Sequence, residues 1–196
     1  QSRSRVYLLG NTDIPYTLNR VDQFSRYWMP IPFDMDLPLK PGFNEHGEFF
    51  LVNNPHPTSR FIPQEEGYYQ VNARTELIVD QIFWEEGVHY HQGPVMISIG
   101  IFVYDGTTQQ QYLYAQGNNY QVNYPSMGEF FDLDYMNAPN VSDVIYLNSL
   151  DYMEICVLVY DPVSLQIPLV FTLRGDGLSG DYHYGSQTYC SVHKNS

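Results

Sequence analysis

The sequence predicts an all-β fold, a two-sheet sandwich or a closed barrel, and three observations carry that prediction. From position 69 the residues Tyr69, Val71, Ala73, Thr75, Leu77 and Val79 recur at every second place, with polar Gln70, Asn72, Arg74 and Glu76 between them. That is the period of a strand with one buried face. Thirteen Pro and 14 Gly punctuate short apolar runs, as many strands joined by turns require. Helix signals are weak: no stretch repeats apolar residues on one helical face behind a capping residue.

In chain order, strands are predicted over residues 5–9, 28–34 and 47–52, the last carrying Gly47-Glu48-Phe49-Phe50. The segment Arg60-Phe61-Ile62-Pro63 reads as a loop feeding the next strand. Pro63 stands at that strand's start, where a missing N–H costs little, and Gly67 supplies a backbone angle that bulkier residues adopt with difficulty. The long alternating strand spans 67–82. Strands follow over 95–104, closed by an Asp105-Gly106 turn, and over 110–114, closed by Gln116-Gly117-Asn118-Asn119. The remainder fall at 128–133, 143–147, 152–160 and 165–173, then, after Arg174-Gly175-Asp176-Gly177, at 188–193. About ten short strands in one chain of this size indicate a sandwich or barrel. No repeat, low-complexity tail or linker divides residues 1–196, which read as one domain.

Composition narrows the function. Hydrophobic residues make up 43% and charged residues only 16%, a globular balance. Tyrosine is abundant at 18, a residue suited to strands and interfaces because its ring buries area while its hydroxyl stays wet. No apolar run is long enough for a transmembrane helix. The start Gln1-Ser2-Arg3-Ser4-Arg5 has no apolar signal region and no Met, as expected of a processed or excised chain. A net charge of −13 argues against a nucleic-acid surface. Its distribution is uneven: residues 75–173 contain no Lys or Arg, while Arg3, Arg5, Arg20, Arg26, Lys40, Arg60 and Arg74 sit before them. That asymmetry serves charge pairing between elements or between copies, or else reflects acids solvated on loops. Cys156 and Cys190 both lie in apolar strand patterns and read as buried free thiols, although a single disulfide is open to them.

Several segments, in order, resemble the complement C1q/TNF-like jelly rolls. Near the start, Trp28-x-x-Ile31-x-Phe33-Asp34 is similar to an early strand of that superfamily. Asn44-x-x-Gly47-x-Phe49, Arg60-Phe61-x-Pro63 and Gly67-Tyr68-Tyr69-x-Val71-x-Ala73 resemble its next block. The run from Val95 to Val103, followed by Asp105-Gly106, is similar to its central strand and turn. Val144-Ile145-Tyr146-Leu147 with Asp151-Tyr152-Met153-Glu154-Ile155, and Ser186-Gln187-Thr188-Tyr189-Cys190-Ser191-Val192, resemble its last elements. Leu150 stands where the family usually has Gly, and Cys190 where it usually has Phe. The segment 116–138 is longer and more acidic than the family pattern. The resemblance implies a ten-stranded jelly roll forming a homotrimer about an axis lined by aromatic and aliphatic side chains, for which this chain holds 31 aromatic residues.

Candidate sites are few. His89-x-His91, behind Glu85 and Glu86, would place two imidazoles on one strand face, as in a cupin-type metal site. The later His183 and His193 come with no supporting motif, so a solvated pair is the plainer reading. Glu129, Asp132 and Asp134, with Asn137 close by, offer oxygens for Ca2+ without the spacing of a calcium loop; solvated acids are the alternative. Tyr120, Asn123 and Tyr124, in a segment mixing amides with tyrosines, are candidate ligand contacts, since such surfaces stack on sugars or peptides; filling of the core or interface is the alternative. Tyr112 and Tyr114 read more readily as core or interface. Asn140-Val141-Ser142 is a glycosylation sequon if the chain is secreted by a eukaryote. Nucleophile-elbow, phosphate-loop and zinc-protease motifs do not occur. The reading is therefore a non-enzymatic homotrimeric recognition or attachment head, at the tip of a phage or viral fibre or on a bacterial surface. It would bind a glycan or protein receptor, require no cofactor beyond an optional Ca2+, and neither bind nucleic acid nor insert in a membrane. A virion trimerisation or decoration module, and a cupin-like metal enzyme, are the alternatives.

Overall fold

The computed structural model describes residues 2–15, 20–34, 43–53, 57–78, 84–85, 88–89, 95–122, 137–160, 170–175 and 187–196. Every regular element among them is a strand. The first nine are β1 (Arg3–Tyr7), β2 (Thr12–Pro15), β3 (Arg20–Val21), β4 (Tyr27–Pro30), β5 (Phe43–Asn44), β6 (Phe49–Asn53), β7 (Pro57–Phe61), β8 (Gly67–Arg74) and β9 (Leu77–Ile78). The rest are β10 (Trp84–Glu85), β11 (Val88–His89), β12 (Val95–Asp105), β13 (Gln110–Gln116), β14 (Tyr120–Val122), β15 (Asn140–Leu147), β16 (Tyr152–Tyr160), β17 (Val170–Leu173) and β18 (Tyr189–Lys194).

Two large antiparallel sheets dominate. The first runs β15-β8-β18-β1-β5. The second runs β13-β12-β16-β4-β3, with β14 added to β12 and the β6–β7 hairpin joined through β7 to β16. A three-stranded sheet β2-β17-β9 and the pair β10-β11 complete the set. One buried cluster takes Val6, Tyr69, Val71 and Ile145 from the first sheet and Ile97, Ile99, Ile155 and Val157 from the second. The two sheets therefore pack face to face as a sandwich, with alternate residues of each strand turned inward. Each such aliphatic side chain taken out of water contributes about 1.5–3 kcal/mol.

The second sheet is buried on both sides at its middle. The other faces of β12, β16 and β4 carry Trp28, Phe102, Cys156 and Leu158, a second cluster of buried side chains. This is why β16 reads as a nearly continuous apolar run rather than an alternation. Gly100 belongs to that tight surface, since a Cβ there would lie 2.7 Å from Leu113 Cδ1 and 3.0 Å from Trp28 Cζ3. Both cysteines are buried and free.

The sequence-derived strands at 95–104, 110–114, 143–147, 152–160 and 188–193 correspond to β12, β13, β15, β16 and β18 with ends shifted by a few residues. Three expectations need correction. The strand expected over 67–82 ends at Arg74, and the chain changes sheets before β9. At the break, Thr75 N donates to Pro139 O, the Thr75 and Thr188 hydroxyls meet at 3.1 Å, and Glu76 receives Arg174 Nη1 at 2.7 Å. Secondly, Arg60 and Phe61 close a strand, β7, rather than lying in a loop. Thirdly, Pro63 lies in the connection after β7, and the next strand opens at Gly67, whose φ of 153° does favour glycine. The expected strand 128–133 lies outside the described residues, as do 79–82 and 165–169.

Candidate assembly face

The alternation of β8 turns Tyr69, Val71 and Ala73 into the core and leaves Tyr68, Gln70, Asn72 and Arg74 on the sheet's outer face. Register extends that face sideways. Tyr68 pairs with Tyr146, Gln70 with Val144 and Asn72 with Ser142 on β15. On the other flank Gln70 pairs with His193, Asn72 with Ser191 and Arg74 with Tyr189 on β18. The β15 end is aromatic: Tyr68 and Tyr146 are 59% and 48% exposed, and their rings meet edge to face at 5.1 Å. Val144 continues the strip at 38% exposure.

A β-bulge carries the strip onto the second sheet. Phe102 pairs with Leu113 but Ile101 with Ala115, which leaves Tyr114 as the extra residue. Its hydroxyl donates to Val144 O at 3.0 Å, tying the two sheets together at this edge. Beside it Tyr112 is also exposed, and burial of part of its ring, with Asp105 and Asp151 nearby, raises its hydroxyl pKa.

The middle of the face is polar. Ser142 Oγ donates to Asn72 Oδ1 at 2.6 Å, and Gln70 Nε2 reaches Ser142 Oγ at 3.2 Å. Towards β1 the face becomes cationic. Arg5 lies 4.6 Å over the Tyr189 ring, and Arg3 pairs with Glu45 at 3.4 Å. Lys194 shares the phase of buried Cys190 and Val192, off this outer face, and pairs with Glu65 at 2.7 Å. The Lys194 ammonium holds the Glu65 carboxyl below its usual range. Beneath the face, burial of Tyr69, with Glu48 and Glu65 nearby, pushes its hydroxyl up to about 12.

A buried ionic cluster lies on the far side of the molecule. Glu154 on β16 is fully buried and receives both Arg20 Nε and Arg20 Nη2, at 3.1 and 3.0 Å, and Gln111 Nε2 at 2.7 Å. Arg60 approaches at 4.0 Å and lies over Tyr152, which stacks on Tyr104. The neighbouring β3–β4 turn is built on Asp22, which accepts from Phe24 N, Arg26 N, Arg26 Nε and Trp28 Nε1. Here the early arginines do pair with later acids, the first of the two roles read from the uneven charge. A charge inside the apolar run of β16 was the available signal; its partner on β3 had none.

Of the expected ligand contacts, Tyr120 stands on β14, partly buried against the core, its hydroxyl accepting from Asn118 Nδ2 at 3.3 Å. Asn123, Tyr124, Glu129, Asp132, Asp134 and His91 lie outside the described residues. His89 pairs in register with Trp84 between β10 and β11. Among the described residues no group of three or more His, Cys, Asp or Glu side chains could hold a metal ion. Nor is any helix among them long and apolar enough to cross a membrane.

No family model matches the sequence, and no curated protein matches it. Solved structures do: 201 chains resemble it, so the likeness is not a chance pairing with one of them. One is the Eiger TNF of S. frugiperda, at a TM-score of 0.52 and 10% identity, covering 99% of this chain and 92% of that one. The architecture is thus an all-β jelly-roll sandwich of the TNF/C1q-like type. At that identity the likeness is one of fold.

Proposed function

We propose that this chain is a non-enzymatic head module that assembles as a homotrimer through the outer face of its five-stranded sheet and uses its rim to recognise or attach to a surface ligand. The observation that carries this reading is the exposed strip of Tyr68, Tyr146 and Val144, continued by Tyr114 across the bulge. A contiguous apolar patch on a sheet face is characteristic of an interaction site. Each ring withdrawn from water by a second copy contributes roughly 2 kcal/mol. The TNF-like fold supports closure with three copies, because the family resemblance carries that assembly with it. An acidic, tyrosine- and amide-rich composition supports an extracellular place on a virion or bacterial surface. Tyr120, Asn123 and Tyr124 are the residues proposed to contact the ligand.

Native mass spectrometry tests the assembly. Three copies are expected for the wild type. Tyr146→Glu, which alters a side chain exposed in the single copy, should yield monomers with an unchanged circular-dichroism spectrum. A wild type that stays a single copy at micromolar concentration refutes the reading. Binding to a glycan array or to host cells tests the recognition role separately, and a trimer that binds neither would leave only a structural one.

A further inference from the structure

The outer face of the second sheet carries a fixed arginine whose donors are unmet among the described residues. Arg60 on β7 pairs in register with Phe50 on β6, and both turn away from the core pair Phe49 and Phe61. The Arg60 guanidinium lies 4.4 Å over the Tyr152 ring, which stacks on Tyr104 at 4.6 Å, so the side chain is held in one place. Its nearest carboxylate is Glu154, 4.0 Å from Nε. That carboxylate is already taken by Arg20 Nε, Arg20 Nη2 and Gln111 Nε2. Arg60 Nε is buried without a hydrogen-bond partner, and no acceptor among the described residues takes another Arg60 donor. Two cations thus face one carboxylate, and a positive charge is left over on a chain of net charge −13.

Unmet donors on a half-buried guanidinium cost free energy, and a planar carboxylate from outside satisfies two of them at once. With 28% of the side chain open to solvent, such a group can reach Arg60. Beside it Phe50, 47% exposed, offers an aromatic ring to an apolar surface. The Tyr104 and Tyr152 hydroxyls, which also have no partner among the described residues, add groups that can both donate and accept. Cation, exposed ring and phenols together match a carboxylate carried on a sugar, whose C–H face packs on an aromatic ring and whose hydroxyls take hydrogen bonds. We propose, resting on the recognition role above, that this face binds a sugar acid, with Arg60 taking the carboxylate and Phe50 packing on the sugar ring. The site is separate from Tyr120, which packs against the core between the sheets.

Ligand-observed NMR on the full chain tests this, with glucuronate as the probe. Saturation transfer from the protein to the sugar protons is expected for glucuronate and not for glucose, which lacks the carboxylate. Arg60→Lys keeps the charge without the planar fork and should weaken binding roughly tenfold or more. Phe50→Ala changes an exposed side chain, so it serves as the second variant if Arg60→Lys fails to fold, and it should weaken binding about fivefold. Glucose binding as well as glucuronate, no transfer to glucuronate at millimolar concentration, or binding unchanged in both variants would overturn the proposal. Inorganic phosphate displacing glucuronate would make this a plain anion site, and N-acetylglutamate displacing it equally well would make it a site for acidic peptides; either result overturns the sugar assignment. The probe needs no trimer. Glycan-array or cell binding that persists in Arg60→Lys overturns this site alone, whereas a wild type that binds no glycan and no cell overturns the recognition role with it.

Discussion

Replacing Asp22 by Asn should cost more than any other isosteric change in the β3–β4 turn. Asp22 Oδ1 accepts Phe24 N at 2.8 Å and Arg26 N at 3.0 Å, while Oδ2 accepts Arg26 Nε at 2.7 Å and Trp28 Nε1 at 2.9 Å. An amide in the same place keeps one oxygen for two of these donors and turns an N–H against the other two. Hydrogen bonds to a charged group are worth about 1.5–3 kcal/mol each. Trp28 is fully buried, so water cannot replace its lost acceptor. A loss of about 3–5 kcal/mol follows, a large part of the roughly 5–15 kcal/mol that holds a typical domain folded. Urea denaturation followed by tryptophan emission reads this as a lower midpoint at unchanged slope. Acid adds a second readout. Burial pushes the Asp22 carboxyl pKa up, but hydrogen bonds from Trp28, Arg26 and Phe24 prevail and the net shift is downward. Its contribution is therefore complete above the unfolded value of about 3.9 and is lost as pH falls through the lower folded value. Asp22→Asn should flatten that acid limb. A loss under about 1 kcal/mol, close to that of an exposed pair such as Arg3–Glu45, or an acid limb identical to the wild type, would refute the reasoning.

Gly100→Val should destabilise by about 1–3 kcal/mol through overpacking, because the new Cβ would also lie 3.2 Å from the backbone oxygen of Ala115, which cannot swing aside; a melting temperature equal to the wild type would refute it. Burial raises both cysteine thiols, Cys156 and Cys190, so neither should react with a thiol reagent in the native protein. Both should react on unfolding, at a rate that follows denaturant, and fast labelling in buffer would contradict their placement in the core.

What the sequence revealed depended on where the controlling partner lay. In β12 and β16 the unbroken runs 97–103 and 153–159 are buried and mostly apolar, so these strands declared themselves locally. The change of sheet at Thr75 did not, because Thr75 and Leu77 are both buried and keep the alternation going through the break. β7 escaped notice because it opens with Pro57 and buries polar Thr58 and Ser59, the latter donating to Phe33 O. Two-residue strands such as β3 and β5 exist through their partners and have no pattern of their own. On the outer face of the five-stranded sheet, the phase of β8 assigns Tyr68 to the outside, but nothing near it in sequence names Tyr146 as its neighbour. The Arg20–Glu154 pair, 134 residues apart, is a still longer reach.

The position of β18 also bears on how the chain is made. This strand occupies the centre of its sheet, inserted between β8 and β1, yet Thr188, just before it, reaches back 113 residues to Thr75. Until residues 189–194 leave the ribosome, both β1 and β8 present a bare edge of backbone donors and acceptors to any passing strand. Nascent chains are thus exposed to mispairing while residues 75–188 are made, and closing so large a loop delays productive collapse. A holdase that shields extended segments should raise the yield of this protein more than a slower elongation rate would.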